Sequence, residues 1–131
     1  MPNLINQYLG VHAQAMPLRE QRMKLIASNL TNADTPNYKA QDLDFDAALR
    51  HAQGLAVSGQ MKTTDARHYE IGTGTTPFLI ERAGIQPSLD GNTVDPDIER
   101  AAYGRAALEY RASLSFVESK VRSMLTAITG Q

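Results

Sequence analysis

Between Ile5 and Ala33 the residues Ile5, Leu9, His12, Met16, Arg19, Met23, Ile26, Leu30 and Ala33 recur at intervals of three and four, which places them on one face of a helix. A second series, Tyr103, Ala107, Tyr110, Leu114, Val117, Val121, Met124 and Ile128, keeps that spacing over about three and a half heptads. Each stripe must be covered, and each is a natural cover for the other. The expected fold is therefore mainly α, with two long terminal helices packed as a coiled-coil-like pair, antiparallel or bundled, joined by an irregular middle with short strands. Residues 1–33 would form the first helix, 34–95 a turn, an extended acidic arm and a region of loops and short strands, and 96–131 the second helix.

The first stripe is flawed in two ways. His12 and Arg19 are polar, and Pro17 lacks the amide its turn of helix would use, so a kink or break is expected there. No second histidine or acid stands at metal-ligand spacing from His12, which reads as a seam or surface residue. Arg19 reads as a side chain that snorkels out of the seam or meets an acid on a partner. The second helix is well bounded. Asp95 is suited to the N-cap and Pro96 to the first helical position, Asp97 and Glu99 face the positive end of the dipole, and Gly130 can end the helix.

Between the stripes, Ala27 to Phe45 reads ASNLTNADTPNYKAQDLDF. Asn32 and Asp34 can terminate the first helix with short side chains that bond nearby backbone, and Pro36 disfavours helical geometry at Thr35. Thr35-Pro36-Asn37-Tyr38 reads as a tight turn, with Asn37 in the left-handed conformation that a type II turn requires. Beyond it Asp42, Asp44 and Asp46 alternate with Leu43 and Phe45. That period of two fits an extended arm with Leu43 and Phe45 on one face, and a short helix starting at Phe45 is the other reading. The glycine and terminal glutamate of a calcium loop are missing, so a solvated acidic face is expected. Met61-Lys62-Thr63-Thr64, His68-Tyr69-Glu70-Ile71 and Phe78-Leu79-Ile80-Glu81 are strand candidates. Gly72-Thr73-Gly74 lacks the lysine and following helix of a phosphate-binding loop.

With 42% hydrophobic but only 6% aromatic residues and no tryptophan, the chain suits interhelical seams better than a large core. It has no cysteine, hence no disulfide and no thiolate metal site. The net charge of −1 gives no reason to expect nucleic acid, and it divides as +2 over residues 1–40, −4 over 41–95 and +1 over 96–131. His12, His51 and His68 lie in unrelated contexts, so no catalytic, cofactor or metal site and no small-molecule substrate is expected. The polar helix faces are mixed in sign, unlike those of a membrane-surface helix.

Two blocks carry a resemblance. Ala27 to Lys39 resembles the N-terminal signature of bacterial flagellar rod, hook and related axial proteins, and Asp34 with Asp42-Leu43-Asp44-Phe45 is most similar to the proximal rod group. Gln86 to Asp95 is similar to the stretch before the C-terminal helix in that group. One departure is Asn37, where the family usually has glycine. The resemblance implies a structural subunit of the flagellar basal-body rod, the periplasmic drive shaft, exported without a cleaved signal peptide. It also implies partners: copies of itself, other rod proteins, the adaptor at the rod base and the flagellar export gate. Asn29, Asn32, Asp34, Thr35, Pro36, Asn37 and Tyr38 would form the assembly turn. The two stripes, Ile5, Leu9, Met16, Met23, Ile26 and Leu30 with Tyr103 to Ile128, would form the helix seam.

Overall fold

The computed structural model describes residues 4–54, 78–84 and 88–130. Two long helices, α1 (Leu4–Thr31) and α3 (Pro96–Thr129), flank β1 (Gln41–Leu43), α2 (Phe45–Ala52) and β2 (Leu79–Glu81) in the chain. The long helices pack antiparallel and in step. His12 stacks on Phe116, Arg19 pairs with Glu109, and Asn29 bonds Glu99, so each advance along α1 is matched by a retreat along α3.

The line of closest packing on α3 runs through Glu99, Ala106 and Ser113, all buried and a heptad apart. Small side chains at two of these positions let the backbones approach, while bulkier neighbours are pushed to the flanks. Ala107, Tyr110, Val117 and Met124 are thus half-buried, whereas Tyr103, Leu114, Val121 and Ile128 are exposed in the single chain, Ile128 to 74%. On α1, Ile26 is buried at 1% exposure, and Leu9, Met16, Met23 and Leu30 are half-buried. The side chain of Ile5 lies outside the described residues.

The break in α1 falls at Gly10 and not at Pro17. Gly10 has φ 68° and ψ −157°, a combination essentially reserved for glycine, while Pro17 keeps helical dihedrals. Proline's own φ suits a helix, so the cost at Pro17 is one missing hydrogen bond and local crowding. Beside the break, Lys120 Nζ donates to Tyr8 O at 3.0 Å, satisfying a carbonyl there.

At the other end of the pair, β1 and β2 form an antiparallel ladder in the register Gln41 with Glu81, Asp42 with Ile80 and Leu43 with Leu79. Asp44 then caps α2 by accepting from Ala47 N at 3.1 Å, which assigns Phe45 to a helix, the second of its two readings. Phe78-Glu81 supplies β2, as expected. The other strand candidates, Met61–Thr64 and His68–Ile71, and the Gly72 loop lie outside the described residues. Ala40, Leu43 and Ala48 join Ile26 as the buried apolar centre of this end.

Candidate assembly site

A helix leaves its last carbonyls without partners, and the chain must supply them. After Thr31, Asn32 Nδ2 and Thr31 Oγ1 both donate to Ser28 O, at 2.8 and 2.9 Å, and Asn32 Oδ1 accepts from Thr35 Oγ1 at 3.1 Å. Tyr38 N reaches Thr35 O at 3.3 Å to close the turn, and Asn37 sits at φ 60°. That is the left-handed region where glycine is freest and asparagine is among the better alternatives. Pro36 and Asp34 face outward.

The remaining carbonyls are satisfied from far along the chain. Asn92, 6% exposed, directs Nδ2 at Asn32 O, Ala33 O and Thr35 O, at 3.0, 2.8 and 2.9 Å, while its Oδ1 accepts from Val94 N. The loop around Asn92 is tied to the turn by Asn37 N to Asp90 O, Thr93 N to Tyr38 O and Lys39 Nζ to Gly91 O. Gly91 suits this place because its φ is +75°, whereas the Asn37 Oδ1 that a Cβ would crowd at 2.5 Å belongs to an exposed side chain free to turn away. The backbone N–H of Asn92, and then the Ser88 hydroxyl, hold the Asp90 carboxyl below the ordinary carboxylate range.

Behind the turn lies a buried polar cluster. Asn29 is fully buried. Its Nδ2 donates to Gln41 O and Glu99 Oε2, and its Oδ1 accepts from Gln41 N and Tyr38 Oη, so it bonds α1 to β1, α3 and the turn at once. Glu99, at the start of α3, is neutralised by Arg82 Nη2 at 2.8 Å. Arg82 Nε stands 3.7 Å from Asp42, which Arg22 grips with two bonds of 3.0 and 3.1 Å. That hydrogen bonding, opposed by burial, holds the Arg22 guanidinium above its usual pKa. Two acids and two bases thus close a neutral circuit across α1, β1, the end of β2 and α3. Such pairs are costly to desolvate, and breaking one leaves an unmatched charge inside.

The expected acidic face is corrected here. Asp44 and Asp46 are exposed, but Asp42 is 7% exposed, because Arg22 and Arg82 compensate it. Arg19 does meet an acid, Glu109 of its own α3, and also lies over the Phe45 ring at 4.9 Å. Of the expected turn residues, Asn29, Asn32, Thr35, Asn37 and Tyr38 enter one bonded network, and Asp34 and Pro36 stay on its surface. Sequence reasoning assigned no role to Gly91, Asn92 or Arg82, and read Glu99 only as a charge for the helix dipole. Gly91 and Asn92 did lie within a block marked by resemblance, whereas no local spacing distinguishes Arg82.

Bonds of this kind hold elements together. Residues 9–39, which span α1 beyond its break and the turn, match the flagella basal body rod protein family. The flagellar basal body rod protein FlgB of Cereibacter sphaeroides is 43% identical over 94% of both chains. The chain belongs to the FlgB family of flagellar basal-body rod proteins. FlgB of Aeromonas hydrophila is 38% identical over 93% of this chain and 92% of its own, and FlgB of Escherichia coli K12 is 34% identical over 98% and 97%. Members of this family are structural, and the chain is a structural subunit of the flagellar rod. The alignments with these relatives extend across nearly the whole chain.

Proposed function

We propose that the chain joins the proximal rod, the periplasmic drive shaft, by burying the open faces of its terminal helices against neighbouring subunits. The carrying observation is the α3 stripe, in which Leu114, Val121 and Ile128 keep heptad spacing yet remain exposed in the single chain. Contiguous apolar surface of this kind marks an interaction site. Copies of itself and other rod proteins would cover the stripe, the adaptor would meet it at the rod base, and the export gate would pass the unfolded chain without removing a signal peptide. The function is mechanical: interlocked helices carry torque, and the turn at Pro36 sets how the arm leaves the shaft.

Leu114→Glu tests this reading. A charge placed in a seam costs several kcal/mol of desolvation on the order seen for buried ions, so incorporation into basal bodies and motility should fail while export continues. Glu118→Gln, off the stripe, should have a milder effect. Normal incorporation of Leu114→Glu would defeat assembly through this helix.

A further inference from the structure

Between the helix pair and the arm lies an open groove of about 600 Å³. Leu43, Phe45 and Ile80 line it with apolar surface, and Ile80 is 46% exposed. The Arg19–Glu109 and Arg22–Asp42 pairs in its walls cancel, which leaves the exposed Asp44 and Asp46 to make it negative by two charges. On the outer face of α3, opposite Ala106 and Ser113, Leu108 and Leu125 are 69% and 55% exposed. Each has an exposed arginine three residues away on the same face, Arg111 and Arg122, and neither arginine has an ion-pair partner among the described residues. Glu118 shares this face, which therefore carries a net charge of +1.

We propose that the outer face of α3 on one subunit docks into this groove on a second copy, with Leu108 against Phe45 and Ile80 and Arg111 reaching Asp44 and Asp46. The inference rests on the assembly proposed above and names one of its contacts. Apolar surface meets apolar surface, and unpaired acids meet an unpaired base, in keeping with the charge division between an arm region at −4 and a C-terminal helix at +1. Groove and helix face are different surfaces of one chain. A contact between them joins head to tail and leaves both ends of a pair free to add further subunits, as an open helical array requires.

The absence of cysteine makes a direct test available. Ile80→Cys and Leu108→Cys chains, whose new thiols would meet in the proposed contact, are produced together in a flagellated cell lacking its own copy, and basal bodies are isolated and oxidised. A disulfide-linked dimer should form when both variants are present and not with either alone. Adding Asp46→Arg to the Ile80→Cys chain should cut its yield about tenfold, and Arg111→Asp on the other chain should restore it. Three outcomes would overturn the contact. One is absence of the mixed dimer while both variants incorporate at wild-type levels, which leaves the rod reading standing. Another is equal dimer from either variant alone. The third is failure of a maleimide to label the isolated Ile80→Cys chain, which means that another part of the same chain fills the groove. Absence of the wild-type chain from basal bodies would instead remove the assembly proposal itself.

Discussion

Where α1 stops and α3 starts, the buried side chains include Asn29, Asn92, Asp42 and Glu99, each held by directed bonds from other elements. Where α1 starts and α3 stops, Tyr8, Val11, Phe116, Val121, Leu125 and Ile128 are large apolar groups left exposed. At the first end the buried polar groups are bonded within one chain, because polar groups tolerate burial only when their bonds are made and here nearly all are, although Ile80, Leu89 and Ile98 stay exposed on its surface. The second end has the composition of an interior without a cover. A subunit divided in this way can set its own turn and arm geometry before it meets a partner, and it keeps its undirected, adaptable surface for the partner.

The largest expected effect breaks the finished end. Arg82→Met strands the Glu99 carboxylate at 2% exposure with only the Asn29 amide, and should cost about 3 kcal/mol in chemical denaturation. Adding Glu99→Gln should recover part of that loss, whereas Leu125→Ala at the open end should change stability by about 0.5 kcal/mol or less. If the two sites cost the same, the contrast between the ends is wrong. Asn92→Ala removes the donor to Ala33 O and a second donor to Asn32 O and Thr35 O, which keep Thr35 N and Tyr38 N, and should cost about 2 kcal/mol by the same measurement. Asn37→Val forces a β-branched residue into positive φ and should cost about 1–2 kcal/mol, while Asn37→Gly should fold and assemble like the parent. Equal motility in these two variants would show that the turn geometry does not matter for assembly.

Hydrogen exchange sharpens the contrast without mutation. In a dilute monomer, amides near Ile26 to Ala48 should be protected while those of residues 4–16 and 114–130 exchange early, because few buried contacts hold the open end. The smallest effect is a pH dependence. The folded Asp90 pKa lies below its unfolded value, so its contribution is fully present above about pH 4 and is lost as pH falls through the lower folded value. Asp90→Asn should slightly flatten the acid limb of the stability curve, and an unchanged limb would show that the hydrogen bonds from Asn92 and Ser88 do not persist in solution.

The pairing of the two terminal helices was legible from their stripes, and so were the local signals. Asp95 does cap α3, accepting from Asp97 N and Ile98 N at 3.0 and 3.3 Å, and Gly130 does end it at φ 71°. Asn37 does adopt positive φ, because each of these outcomes is decided within a few residues by steric and hydrogen-bonding rules. The buried circuit was not legible. Asp42, Asp44 and Asp46 have similar immediate neighbours, and only the arrival of Arg22 and Arg82 from other elements distinguishes the buried one. The α3 stripe showed the opposite bias. Periodicity marks the most apolar line, while the packed line follows Ala106 and Ser113, whose small size matters only once a second helix is present.

Asn92 also concentrates the junction's donation in one side-chain amide. Its amide holds three carbonyls by donation, so hydrolysis of that amide to a carboxylate would turn three attractions into three repulsions without altering the side chain's size. Slow ageing at this one nitrogen would loosen the turn and the loop bonded to it while leaving the salt-bridge circuit behind them in place.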